Sequence, residues 1–273
     1  MSEPDSNAAR IWQLIGWAYQ EALVQRRGTD AKLLEQSLHS SPVMAKSLTK
    51  LTASAIIDRL DRQLSPMGSL ALRAAEFFLS QAEEASNHWM DAGMISLGFF
   101  RILELEFNER LIFPMVKSLD FEALNKELEA LEKQLVPIGG ELSKKNKQKV
   151  DIWKQMIGSL LRAKAKRVGL ELGSLEILIQ KSSDVTGVDH KLKAIINTSL
   201  SLRLSASGLD AFRSGELGKL LAPSERDSFR NPAAHSRYVD LDTAAECKQY
   251  LESALEKLIA YCGDGNEGSH TIH

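Results

Sequence analysis

One hexapeptide, Arg230-Asn231-Pro232-Ala233-Ala234-His235, combines the side chains that cleavage of a phosphodiester without a metal would need. We call it the Arg-His motif. Arginine is a permanent cation whose planar fork of donors matches phosphate oxygens. Histidine is the side chain that exchanges a proton most readily near neutral pH. We therefore expect Arg230 and His235 to act on a single phosphate.

The residues between them predict how they are positioned. Asn231 is a good helix N-cap, and Pro232 suits the first helical position because it has no amide to leave unsatisfied. A helical turn that starts at Pro232 would aim its free amides, Arg230 and His235 at one anion. The simpler alternative is that Arg230 pairs with an acidic neighbour and His235 packs as a partly buried polar residue.

The rest of the chain predicts an all-α protein. Leu, Ala, Glu, Lys and Gln dominate the long segments, and the period-two alternation of strands is nearly absent. The predicted helices cover about residues 7–25, 30–39 and 47–60, two core helices within 68–115 broken near 91–93, and then 121–135, 170–180 and 190–204. The basic segment 144–167 predicts an amphipathic helix with a leading loop. Residues 205–235 predict mostly connection with short turns. A last helix should start at Asp242 or Thr243, with Thr243 and Glu246 as a capping box, and end at Gly263.

These segments suggest three regions: a helical N-terminal region at 1–66, the main helical domain at 67–262, and a flexible tail at 263–273. The tail spells G-x-G-x-x-G from Gly263 to Gly268, but it follows a helix instead of a strand, so it cannot build a dinucleotide fold. We expect neither a cofactor nor a metal site.

Composition narrows the class of protein. With 34 basic and 36 acidic residues the net charge is −2, which argues against duplex binding driven by bulk charge. Cys247 and Cys262 fit the apolar stripe of the last helix and predict buried free thiols in a reducing compartment. No window approaches eighteen apolar residues, and the first residues lack a secretory pattern. We expect a soluble, cytoplasmic protein with no membrane partner.

The Arg-His motif, in a loop that leads to the last amphipathic helix of an all-α domain, resembles the Arg-X4-6-His motif of the HEPN superfamily (higher eukaryotes and prokaryotes nucleotide-binding). Arg230, Asn231 and His235 match it residue by residue, and the resemblance covers about residues 68–261. It implies a HEPN-type helical bundle. Many members are metal-independent endoribonucleases, often toxins or antiviral-defence effectors, and they commonly dimerise so that two motifs form a composite site. One subgroup has Tyr two residues after His, whereas Tyr238 here is three after, so Tyr238 does not match the position of that subgroup's tyrosine.

The resemblance implies a nuclease mechanism. A ribose 2′-hydroxyl would attack the adjacent phosphorus of RNA and leave a 2′,3′-cyclic phosphate. His235 would move the proton, Arg230 would neutralise phosphoryl charge, and Asn231 would orient the phosphate or cap the turn. A homodimer would supply a second His235, and a protein partner could regulate it. Two alternatives stay open: a non-catalytic helical adaptor that binds a nucleotide or a protein, and an unrelated bundle in which the motif is coincidental.

Further charged residues extend the candidate site. The basic segment 144–167 could lead an RNA backbone toward it, although a solvated helix face is the simpler interpretation. The residues that could contact RNA are Arg226, Arg237, Tyr238, Lys164 and Arg167. Glu104 and Glu106 lie in an apolar helix, and one of them could support the site as an acid. The simpler expectation is that both face solvent together with Arg101, Asn108 and Arg110.

Overall fold

The computed structural model describes residues 60–84, 92–136, 142–221 and 239–262. The helices predicted over 7–25 and 30–39, nearly all of that over 47–60, and the tail 263–273 lie outside the described residues. The Arg-His motif, at 230–235, lies outside them as well.

The described part of the chain is all-α, as its composition predicts, and contains no strand. Its helices are α1 (Pro66–Glu84), α2 (Gly93–Phe107), α3 (Phe113–Ser118), α4 (Phe121–Leu135), α5 (Lys144–Lys166), α6 (Leu172–Ser183), α7 (His190–Ser201), α8 (Ala206–Arg213), α9 (Glu216–Lys219) and α10 (Leu241–Tyr261). One π-helical turn, Asn108–Ile112, joins α2 to α3.

Helices α4 and α5 each begin at a side-chain cap. The Asp120 carboxylate accepts a hydrogen bond of 2.9 Å from the amide of Ala123 at the start of α4. The Ser143 hydroxyl accepts one of 3.3 Å from the amide of Asn146 at the start of α5. These caps satisfy amides that have no partner within the helix. The predicted helix at 121–135 is confirmed. Within 144–167 the amphipathic helix is confirmed, but the basic loop predicted to lead into it is wrong, because α5 already begins at Lys144.

The prediction that residues 205–235 are mostly connection is wrong for its first part, since α8 and α9 lie there. The Ser205 hydroxyl accepts a hydrogen bond of 3.1 Å from the amide of Gly208, so this glycine belongs to the first turn of α8. Gly215, with φ of 81°, separates α8 from α9 in a conformation that other residues rarely adopt. The glycines here shape short helices instead of preventing them.

The predicted cap of the last helix is also wrong. Helix α10 begins at Leu241, and the Asp240 carboxylate accepts a hydrogen bond of 2.8 Å from the amide of Thr243. This bond lowers the pKa of Asp240 because it favours the charged form. Asp240, not a Thr243–Glu246 capping box, therefore starts the helix.

The chain divides into two compact units. Among the described residues, the first unit contains 60–84, 92–106 and 239–256, and the second contains 107–136, 142–221 and 257–262. The predicted boundary between residues 66 and 67 stays a prediction.

The core of the first unit is built from large apolar side chains of α1, α2 and α10. Leu72, Phe99, Leu103 and Leu255 are buried almost completely. Cys247 lies with them as a buried free thiol, and Cys262 in the second unit is buried as well, as predicted.

In the second unit, α5 packs against α3 and α4, and α7 packs against α3, α4 and α6. Val150, Trp153, Ile157 and Leu160 form the buried face of α5. Its basic residues consequently lie mostly on the outer side. None of the helices in the described ranges is both long and apolar enough to cross a membrane.

Candidate functional site

The residues predicted to carry the chemistry, Arg230, Asn231 and His235, lie outside the described residues, as do Arg226, Arg237 and Tyr238. The turn predicted at Pro232 and the convergence of Arg230 with His235 stay predictions.

The first described residues after the Arg-His motif are Val239 and Asp240. The carbonyl of Val239 accepts a hydrogen bond of 2.8 Å from the amide of Ala92, which precedes α2. Asp240 then caps α10. The amphipathic helix predicted to follow the Arg-His motif is therefore confirmed, and two hydrogen bonds fix its first residues.

Glu104 and Glu106 do not face solvent, so that expectation is wrong. Both are buried, and so is Asn108. Glu104 forms an ion pair of 2.9 Å with Arg101, three residues earlier on the same helix. A buried carboxylate needs such a partner because desolvation of an unpaired charge is costly.

Glu106 supports the start of α1. Its Oε1 accepts hydrogen bonds from the Ser65 amide at 2.9 Å and from the Ser65 hydroxyl at 2.5 Å. A helix N-terminus favours a nearby anion, so this position stabilises a carboxylate that is fully buried. Gly68 permits the approach, since a Cβ there would lie 2.9 Å from the Glu106 carboxyl carbon.

Asn108 connects the π-helical turn to the segment after α5. Its side-chain amide donates to the Leu170 carbonyl at 2.8 Å, and its side-chain oxygen accepts from the Leu170 amide at 2.7 Å. Gly169 fits tightly beside this pair, because a Cβ there would lie 2.9 Å from the Asn108 Cγ. The end of α5 is thereby held in place.

Two of the basic residues predicted to contact RNA, Lys164 on α5 and Arg167 directly after it, have partners within the protein. Arg167 forms an ion pair of 3.2 Å with Glu109, and its guanidinium lies 5.4 Å from the centre of the Phe113 ring. The ammonium of Lys164 lies 4.9 Å from the centre of the Phe121 ring. Both distances are within the range of cation–π attraction. Lys164 and Arg167 therefore contribute to packing as well as to surface charge.

Other cations of α5 are paired too. Lys149 lies 3.5 Å from the Asp189 carboxylate, and Lys154 lies 3.0 Å from Glu132. The remaining cations are exposed, and no carboxylate in the described ranges forms an ion pair with them. They are Lys144, Lys145, Lys147, Arg162 and Lys166, which we call the open basic face.

A shallow groove of about 530 Å³ runs beside this face, between α5 and α6. It combines polar and apolar side chains, among them Ile152, Ser159, Arg162, Val168, Ser174 and Ile177. Arg162 Nη2 donates to the Ser159 hydroxyl at 2.9 Å. Val168 and Ile177 are 40% and 41% exposed, so the groove presents apolar surface next to a cation.

A buried ionic cluster was not predicted. Asp189 accepts a hydrogen bond of 2.9 Å from the Trp153 indole, and Lys193 lies 3.4 Å from its other oxygen. Burial would raise the pKa of Asp189, but the Trp153 hydrogen bond and the charges of Lys149 and Lys193 outweigh it and lower the pKa. The spacing of Asp189 and Lys193 was the one local signal, since residues four apart are neighbours on a helix.

The first unit contains an ion pair between a buried carboxylate and a half-buried lysine. Lys248 lies 2.8 Å from Glu76 Oε2, whereas Glu76 Oε1 is buried without a hydrogen-bond partner among the described residues. Burial raises the pKa of Glu76 even though Lys248 opposes the shift. Burial also raises the pKa of Cys247 to about 12, so this thiol stays protonated and unreactive near neutral pH.

Within the described ranges, no three His, Cys, Asp or Glu side chains cluster as metal ligands would. No protein-family model, curated protein or solved structure matches this chain significantly.

Proposed function

We propose that this protein is a metal-independent endoribonuclease of HEPN type. The observation that carries the proposal is the Arg-His motif, in which Arg230, Asn231 and His235 keep the spacing of the HEPN motif. Two features of the described chain support it: the fold is all-α, and a capped amphipathic helix, α10, follows the motif.

The proposed reaction is a transesterification within RNA. The ribose 2′-oxygen bonds to the adjacent phosphorus, the bond from phosphorus to the 5′-oxygen breaks, and the products carry a 2′,3′-cyclic phosphate and a 5′-hydroxyl. His235 accepts the 2′-hydroxyl proton or donates one to the leaving oxygen, a contribution of about 10²- to 10⁴-fold. Arg230 stabilises the charge that builds on the phosphoryl oxygens, and Asn231 orients the phosphate.

The proposal includes a homodimer with a composite site. One imidazole does not easily serve both ends of the reaction, so a second His235 from a symmetric partner would supply the other proton transfer. We place the enzyme in the cytoplasm, where a free thiol such as that of Cys247 stays reduced. Its setting would be a toxin or antiviral-defence system, with a protein partner that regulates it.

A non-catalytic adaptor is the second candidate. The groove beside α5 favours it, because Val168 and Ile177 expose apolar surface next to polar groups. An adaptor would bind a nucleotide or a protein without cleaving any bond.

Cleavage of a structured RNA in the presence of EDTA tests the proposal. The unaltered chain should cleave, whereas His235→Ala and Arg230→Ala should each lose at least about 10²-fold in rate while staying folded by circular dichroism. His190→Ala and Arg213→Ala are matched controls, because both side chains are exposed and lie outside the motif. Cleavage that EDTA abolishes, or that survives His235→Ala, would overturn the mechanism. Binding without cleavage would favour the adaptor.

A further inference from the structure

We propose that the open basic face of α5 binds the phosphate backbone of single-stranded RNA and so holds the substrate of the proposed nuclease. The inference rests on the proposed function, and it assigns binding to Lys144, Lys147 and Arg162 in place of Lys164 and Arg167. The latter two are engaged with Phe121, Phe113 and Glu109.

Positive charge is concentrated on the segment that forms α5. Between residues 144 and 167 the chain has nine lysines or arginines and one acidic residue, Asp151, whereas the whole protein has a net charge of −2. A cluster of one sign attracts a polyanion locally even when the overall charge is near zero. Such a surface suits a phosphate backbone.

Ion pairs divide these cations into two groups. Lys149, Lys154 and Arg167 form ion pairs with Asp189, Glu132 and Glu109. Members of the open basic face are exposed and have no such partner in the described ranges. A phosphate can approach these cations without first displacing a carboxylate.

Several cations of the open basic face are aligned along one side of α5. Lys144 and Arg162 are separated by five helical turns, so they lie on the same side of α5 and about 27 Å apart along its axis. Lys166 lies about one turn further on, on nearly the same side. The opposite side contains Trp153 and Leu160 and is buried. An extended strand could contact several of these cations at once.

Stability of the helix does not explain this placement. The first turn of α5 contains Lys144, Lys145 and Lys147 and no acidic residue. Cations near a helix N-terminus oppose the helix dipole, so they do not stabilise α5 there. An anionic partner along this face would offset this unfavourable interaction.

The same surface fits RNA better than a membrane. An interfacial helix inserts its apolar face into lipid, but here that face is packed inside the second unit. Gln148 and Gln155 are exposed beside these cations, and such amides are typical donors to phosphate and sugar oxygens. Backbone contacts of this kind are independent of sequence.

The test measures binding of a fluorescein-labelled 20-nucleotide polyuridine to the full chain carrying His235→Ala, so that cleavage does not interfere. The open-face variant combines Lys144→Gln, Lys147→Gln and Arg162→Gln. The matched control combines Lys117→Gln, Lys126→Gln and Lys133→Gln, which removes the same charge from exposed positions on α3 and α4. Affinity is recorded from 50 to 200 mM salt, and circular dichroism checks the fold.

We expect the open-face variant to bind at least about 10-fold more weakly, with a log–log salt slope reduced by about 2, since each single-strand phosphate contact contributes about 0.7. The control should stay within about twofold of the parent. Asp151→Asn removes the one acidic group of this segment and should tighten binding, which keeps the proposal falsifiable if the triple variant fails to fold.

Equal affinity and slope for the two triple variants would overturn the inference, as would no binding of polyuridine. If the open-face variant no longer binds phosphatidylserine vesicles but binds RNA as the parent does, the inference is overturned in favour of a membrane surface. If the open face binds RNA but the unaltered chain never cleaves it, the nuclease proposal fails while this inference stands.

Discussion

Asn108 and Leu170 are joined by two hydrogen bonds, of 2.8 and 2.7 Å, through which one side-chain amide satisfies both backbone groups of a buried leucine. The bonds connect the π-helical turn to the segment that follows the basic helix α5. Leu170 and Gly169 also line the groove beside that helix. The shape of the groove and the direction in which α5 ends therefore depend on Asn108.

Asn108→Ala should destabilise the protein by about 2–4 kcal/mol, because it leaves a buried donor and a buried acceptor unsatisfied. Urea unfolding followed by circular dichroism measures the loss. Asn146→Ala is the matched control: its side chain donates one half-buried hydrogen bond of 3.2 Å to Leu135, and we expect a loss of about 1 kcal/mol or less. Equal losses for the two variants would show that the Asn108 pair has no special role.

Gly68→Ala should destabilise the protein although alanine favours helices. The new Cβ would displace the Glu106 carboxylate, which is fully buried and bonded to Ser65, so it cannot swing into water. We expect a loss of about 1–3 kcal/mol in free energy of unfolding from the broken hydrogen bonds.

Gly173→Ala provides the comparison for that substitution. Gly173 is also helical, but a Cβ there meets nothing within 4 Å. The substitution should stabilise by about 0.5–1 kcal/mol, the ordinary advantage of alanine over glycine in a helix. If Gly68→Ala also stabilises the protein, the hydrogen bonds between Glu106 and Ser65 do not contribute to its stability.

The helices could largely be predicted from sequence because their signals are local. The bounds of α4 follow from its apolar period, and Asp120 is a cap of the expected type. The burial of Glu106 could not be predicted, because its partner Ser65 lies 41 positions away. Asn108 and Leu170 are 62 positions apart. Hydrogen bonds between distant segments leave no periodic pattern in the chain.

In the candidate site, too, local features could be predicted from the sequence and contacts between distant segments could not. The sequence identifies the basic residues of α5, but it does not say which are paired, since Phe121 and Glu109 belong to other helical segments. Five cations are open, and neither Lys164 nor Arg167 is among them. The Arg-His motif follows from residue types and their spacing alone. The next described residues after it in the sequence are Val239 and Asp240, which caps α10.

Acid should unfold the protein partly through Asp189. Its pKa lies below the ordinary value of 3.8, so its stabilising effect is complete above that value and is lost as the pH falls through the lower native pKa. Asp189→Asn should cost about 3 kcal/mol at pH 7, because Lys193 loses its buried partner. The difference between the two chains should shrink below about pH 4. A difference that stays constant from pH 7 to pH 2 would contradict the assigned shift.

Glu76 should show the opposite pH dependence. Burial raises its pKa above the ordinary value of 4.5, so the native state binds the proton more tightly and stability falls as the pH rises through the native pKa. Glu76→Gln removes this dependence. Urea unfolding should show the variant gaining on the unaltered chain between pH 4 and pH 7. A gain in the reverse direction would mean that the ion pair with Lys248 outweighs burial.

The most direct measurement uses two RNAs that are identical except for a 2′-O-methyl group at the cleaved position. With EDTA present, the unaltered chain should cut the unmodified RNA, leave a 2′,3′-cyclic phosphate, and spare the modified position, because the attacking 2′-hydroxyl is blocked. His235→Ala should cut neither RNA. Cleavage at the methylated position, or cleavage by His235→Ala at the rate of the unaltered chain, would contradict an RNA transesterification carried out by Arg230 and His235.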